Sequence, residues 1–123
     1  MDRVLIFAGA FVTFLWGAAH LFPTRSVVSG FGPISADNRL IITMEWIAEG
    51  VSLIFVGTLV AAVTVLDHEH AVSGMVYWLC IAVLNVLSVV SLMTGFRVNF
   101  LPFKLCPVLF TGSSALILAG VLL

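Results

Sequence analysis

Between Asn38 and Leu66 the chain reads NRLIITMEWIAEGVSLIFVGTLVAAVTVL, an apolar run of membrane-spanning length that nevertheless holds Glu45 and Glu49. A carboxylate in hydrocarbon is costly, so it faces a protein interior or a wet cavity and marks a functional site by default. Four residues apart on a helix, the two acids share one face about one turn apart. Whatever this chain does is expected to be done against that face.

Three further apolar segments flank this one, giving spans at about residues 4–22, 39–66, 72–95 and 102–123. In lipid every backbone amide must be satisfied within its own helix, so the expectation is an all-α, single-domain, up-down-up-down bundle of four transmembrane helices. No segment alternates as a β-barrel strand would. With 62% hydrophobic and 9% charged residues and a mean hydropathy of +1.24, the composition is that of an integral membrane protein surrounded by a lipid bilayer. A net charge of −1 and scattered basic residues exclude nucleic acid as a partner. The first run follows Arg3 as the apolar core of a signal peptide does, but it is too long for that, holds Trp16 and His20, and meets Pro23 without a cleavage site. It reads as a retained span.

The connections are legible from their turn residues. Thr24 to Asp37 contains Gly30, Gly32 and Pro33 and reads as irregular, with Ser35 or Asp37 capping the next helix. Asp67 to His70 reads as a short solvated turn; its His-x-His pair lacks a third remote ligand, so no metal is assigned. Pro102 suits the first turn of the last helix, and Pro107 its early turns. Arg25, Arg39, Arg97 and Lys104 belong to the first and third connections, against Arg3 alone on the other side. The positive-inside rule then puts both termini outside a bacterial-type plasma membrane.

This topology brings His20, near the end of helix one, and Glu45, near the start of helix two, toward one membrane face. From Asn38, Glu45 lies about 10 Å and Glu49 about 16 Å along the axis at ~1.5 Å per residue, the latter close to mid-bilayer. Asn85 on helix three reaches a similar depth. His20, Glu45 and Glu49 are therefore the candidate acid–base groups, and Arg39, Trp46 and Asn85 the candidate ligand contacts. Each has a plainer role: His20 bonded to a carbonyl, Glu45 paired with Arg39 or Lys104, Glu49 in a neutral interhelical bond, Asn85 fastening helices, and Trp46 packing. Cys80 and Cys106 are expected near opposite faces, too far apart for a disulfide. Gly9, Ala10, Gly17, Gly50, Gly57, Gly112, Ser113 and Gly120 favour close helix packing, in a compact bundle or a homo-oligomer.

FLWGAAHLFPTRS in helix one and NRLIITMEWIAEGVSLIFVG in helix two resemble the DoxX-like group of small bacterial four-helix membrane proteins. The likeness is carried by Gly17, His20, Arg39 and Glu45; His20 stands where the group favours lysine, and Glu49 lies outside its pattern. The resemblance implies association with quinone-linked or thiol redox complexes. Three functions are open at this point. The first is a pocket for a lipophilic molecule such as a quinone or lipid, within an accessory subunit that docks on a membrane partner. The second is an acid–base isomerase or hydrolase acting on a lipophilic substrate. The third is a proton-linked transporter built from several copies.

Overall fold

Asp2 opens the first helix by accepting the amides of Val4 and Leu5 on its carboxylate, at 2.9 and 3.3 Å. The computed structural model describes residues 1–123. Its helices are α1 (Arg3–Leu21), α2 (Thr24–Gly30), α3 (Ala36–Asp67), α4 (Ala71–Met93) and α5 (Leu101–Leu122), with a 3-10 turn at Gly95–Arg97. The helices α1, α3, α4 and α5 are long and apolar enough to cross a membrane, the make-up of an integral multi-pass membrane protein. Large apolar side chains on the outer faces, among them Phe11, Leu15, Phe55, Val86 and Val108, stay exposed, as a lipid-facing surface requires.

The long helices lie within a few residues of the apolar segments marked in the sequence, with two differences. The first connection is not wholly irregular, because α2 forms a short helix before Gly32 breaks the chain direction with a positive φ of 73°. The turn-forming residues cluster only at the end of this connection, which leaves Thr24 to Ser29 free to be helical. The helix α3 begins three residues earlier than the apolar run suggests, where Ser35 accepts the Asn38 amide at 3.1 Å. At 32 residues it is about 48 Å long at ~1.5 Å per residue, well beyond the hydrocarbon thickness.

The four spans form an antiparallel ring in the order α3, α1, α5, α4, with α1 packed closely on both α3 and α5. Small residues permit this. A Cβ on Gly17 would lie 2.7 Å from the Gly50 carbonyl oxygen and 2.7 Å from the Ile54 amide, so the backbones of α1 and α3 all but touch there. Gly57 meets Ala10 in the same way, and Gly9 and Gly120 line the contact with α5. Gly112, by contrast, has open space beside it and takes no part in packing.

The ring closes least tightly between α3 and α4. Near their connecting turn they are joined: Thr64 and Tyr77 share a buried hydroxyl bond of 2.9 Å, and Ser73 donates to the Asp67 carbonyl. Farther from the turn they diverge. On the other side of α4, Asn85 donates to Ser114 at 2.7 Å and Ser88 bonds Thr111 at 2.7 Å, which ties α4 to α5 instead.

The turn at Asp67–His70 is also less solvated than its polarity suggests. His68 is buried, and its Nε2 accepts from Arg3 Nε at 3.3 Å across 65 positions of sequence. His70 turns the other way, its Nδ1 accepting the Val72 amide to cap α4. Nearby the Asp2 amide donates to the Gly120 carbonyl at 2.7 Å, so both chain ends and this turn share one end of the bundle. Both basic connections lie at the other end.

Candidate functional site

The Gly17–Gly50 crossing fixes the position of the two residues beside it. A Cβ on Gly50 would meet the Cβ of His20 at 3.1 Å, so Glu49, one residue away, is delivered to the edge of the imidazole. His20 Nε2 lies 3.6 Å from Glu49 Oε1. This is ion-pair range, longer than a direct hydrogen bond. The histidine side chain is only 4% exposed, whereas that of Glu49 is 37% exposed.

The imidazole is held on three sides. Its Nδ1 sits 3.0 Å from the Trp16 carbonyl, and because a carbonyl can only accept, Nδ1 carries the hydrogen. That leaves Nε2 directed at Glu49, either as a lone pair or, in the imidazolium, as a second N–H. The ring of Trp46 lies against it at a tilt of 30° and a centroid distance of 4.8 Å, and Trp16 meets it edge-on at 5.4 Å. Trp46 also donates its indole N–H to the His20 carbonyl. That carbonyl belongs to the last turn of α1, where the Thr24 hydroxyl also reaches it at 3.5 Å, so Trp46 both walls the ring and helps to finish the helix.

Where α3 and α4 part, a cavity of about 560 Å³ opens, a volume within the usual range for small-molecule sites. His20 and Cys106 form its inner wall, Glu45, Trp46 and Glu49 one flank, and Ser91 the other. The helix α4 lines it with Leu87, Val90, Ser91 and Thr94, the spacing of a single helical face, and Gly95 follows. Smaller cavities of about 420 and 250 Å³ continue beneath α2 and behind Trp46, so the aromatic residues Phe31, Phe100 and Phe103 partition a larger space at the basic end.

The candidates from sequence separate into two groups. His20, Glu45, Trp46 and Glu49 share the cavity wall. Asn85 lies outside it, spending its amide on Ser114 and on the Ile81 carbonyl at 2.8 Å. Arg39 also stands apart; its guanidinium reaches the Gly32 carbonyl at 3.5 Å. Lys104 rests over the Phe96 ring, 5.5 Å from its centroid. Neither cation pairs with a glutamate, and Glu45 forms no ion pair.

Sequence reasoning puts Ser91 toward the basic side, near Asn85, but counts neither Ser91 nor Cys106 among the site candidates. Ser91 could have been found from the i, i+4, i+8 series Leu87, Ser91, Gly95. Cys106 could have been placed by depth, since it falls in the second turn of the last span, at the same basic end as His20. Comparison with known protein families, with curated proteins and with solved structures finds no match to this chain.

Proposed function

We propose that the cleft between α3 and α4 binds a lipophilic small molecule with a polar head, in the size class of a quinone or a lipid. The observation that carries this reading is the 560 Å³ cavity itself, apolar over most of its wall, with His20 and Glu49 3.6 Å apart within it. A ligand dissolved in the bilayer could enter sideways where the helices diverge and leave its tail among exposed apolar side chains. The few polar groups would then orient its head.

The clustering of Arg25, Arg39, Arg97 and Lys104 at one end supports a cytoplasmic position for that end, with both termini outside. Kinship with the DoxX-like proteins, and with it a bacterial plasma membrane and a role as accessory subunit of a redox or biosynthetic complex, rests on the motifs around His20 and Glu45 and is part of the same proposal. Mass spectrometry of the native protein, released from nanodiscs, tests the binding reading. A stoichiometric small molecule that is lost in Glu49→Gln is expected. Finding only non-stoichiometric bulk phospholipid in both proteins would overturn it.

The His20–Glu49 pair also favours a second reading, an isomerase or hydrolase in which one group removes a proton and the other returns it. Here Glu49→Gln abolishes turnover of a bound substrate, whereas a purely binding protein shows no turnover to lose.

A further inference from the structure

The cavity wall offers acceptors and almost no donors. Three hydroxyl groups line it, and each spends its hydrogen on its own helix: Ser52 on the Ala48 carbonyl at 2.7 Å, Thr94 on the Val90 carbonyl at 2.6 Å, and Ser91 on that of Leu87. The Trp46 indole N–H is spent on the His20 carbonyl, and His20 Nδ1 on that of Trp16. Trp16, whose buried indole N–H has no partner, lines the smaller cavity behind Trp46 and not this one. The Cys106 thiol is spent on the Pro102 carbonyl at 3.5 Å, so what remains facing the cleft are two carboxyl groups, the lone pairs of the hydroxyls and the thiol, and the Nε2 of His20, whose side chain is only 4% exposed. That Nε2 has no hydrogen-bond partner; the nearest acid oxygen stays at 3.6 Å.

Charge points the same way. No lysine or arginine lines the cavity, so with both acids ionised it carries two negative charges against at most one positive charge from His20. The aromatic side chains of Trp46, Phe31 and Phe103 complete the wall, and aromatic rings attract cations to their faces.

We propose that the ligand of this cleft is a lipophilic amine in its ammonium form, held by N–H donation to Glu49, Glu45 and the Nε2 of His20, which no hydrogen bond occupies. This rests on the binding reading above and narrows it. A quinone brings only acceptors and would meet a wall of acceptors, which can donate only where His20 or an acid is protonated. An ammonium supplies both the charge and the donors that the wall lacks. A carboxylate or phosphate head would meet like charge.

Three cage molecules of equal shape make the test: 1-adamantylamine, 1-adamantanol and 1-adamantanecarboxylate. They are titrated into the full chain in phosphatidylcholine nanodiscs, reading tryptophan fluorescence with empty nanodiscs subtracted for partitioning. Because a hydrogen bond to a charged group is markedly stronger than a neutral one, the amine is expected to bind roughly 10- to 100-fold more tightly than the alcohol, and the carboxylate not at all. Glu49→Gln, and separately Glu45→Gln, should each weaken the amine by a larger factor than the alcohol, and so erode the preference of amine over alcohol. Equal binding of amine and alcohol would overturn the ammonium proposal and leave the lipophilic cavity standing. Preference for the carboxylate, or no binding by any of the three at millimolar concentration, would also overturn it; in the latter case the binding reading falls only if native mass spectrometry is empty as well.

Discussion

Trp46 donates its indole N–H to the carbonyl of His20 while its ring lies 4.8 Å from the imidazole. One side chain on α3 thus completes the end of α1 and sets the orientation of the residue that α1 contributes to the cavity. The two roles can be separated. Trp46→Phe keeps an aromatic wall but removes the indole bond to the His20 carbonyl, leaving it only the Thr24 hydroxyl at 3.5 Å, and should cost about 1 kcal/mol of stability. Trp46→Ala removes both and should cost about 3–5 kcal/mol. Reversible unfolding in mixed micelles would rank the two; equal losses would mean that the aromatic wall contributes nothing beyond the indole N–H.

The same crossing of α1 and α3 depends on the absence of side chains. Gly17→Ala would drive a methyl to 2.7 Å from backbone atoms of both Gly50 and Ile54, which cannot move aside as a flexible side chain could. A loss of about 1–3 kcal/mol is expected, with His20 and Glu49 pushed apart and ligand binding weakened. Gly112→Ala meets open space and should leave both stability and binding unchanged. Thermal unfolding followed by circular dichroism distinguishes them, and similar midpoints for the two variants would contradict so close a backbone contact.

Much of this was legible from residue type and spacing. Acids and a histidine stand out in apolar runs, and helical periodicity alone puts Glu45 and Glu49 on one face. Topology then brings His20 to the same end. What could not be read was how the helices diverge: sequence neighbours α3 and α4 are the least closely packed pair in the ring, and that separation alone makes Ser91 and Cys106 part of the cavity wall. Asn85 shows the converse. Its depth suited the site, but its amide is turned to Ser114 on α5, away from the cleft. Burial of His68 was equally invisible, because its hydrogen-bond partner, Arg3, lies 65 residues away in the sequence.

Asn85 therefore gives a test of the boundary between site and scaffold. Asn85→Ala breaks the bond to Ser114 and should weaken the α4–α5 seam by about 1 kcal/mol, in line with interhelical polar bonds elsewhere in membranes. Ligand affinity should not change, since the residue does not reach the cavity. A binding isotherm displaced by about tenfold, or ~1.4 kcal/mol, in this variant would mean that α4 shifts with its partner and carries the site along.

Tyr77 offers a parallel test at the closed end of the cleft. Its hydroxyl, fully buried, bonds Thr64 at 2.9 Å where α3 and α4 still touch. In Tyr77→Phe the Thr64 hydroxyl keeps its bond to the Val60 carbonyl, so no donor is orphaned and the loss should be about 0.5–1.5 kcal/mol. Because this bond holds the two helices together where the cleft closes, ligand dissociation should quicken while the bound pose is retained. Stopped-flow release of the bound probe would show it; an unchanged off-rate would mean that the divergence is set by helix packing alone.

The histidine itself can be divided between its two nitrogens. In His20→Asn the side-chain amide sits where Nδ1 does and can still donate to the Trp16 carbonyl, but nothing remains to face Glu49. In His20→Gln the longer amide reaches toward the Nε2 position instead and loses the bond to Trp16. If Nε2 and Glu49 act together on a ligand, Asn keeps the fold and forfeits binding, whereas Gln loses about 1 kcal/mol of stability and retains part of the affinity. Combining each with Glu49→Gln closes the comparison. The pair separated by 3.6 Å should show a coupling of about 1 kcal/mol in binding that vanishes once Asn occupies position 20. Strict additivity between His20→Asn and Glu49→Gln would mean that the two groups meet the ligand independently, and that their proximity reflects only the glycine crossing between them.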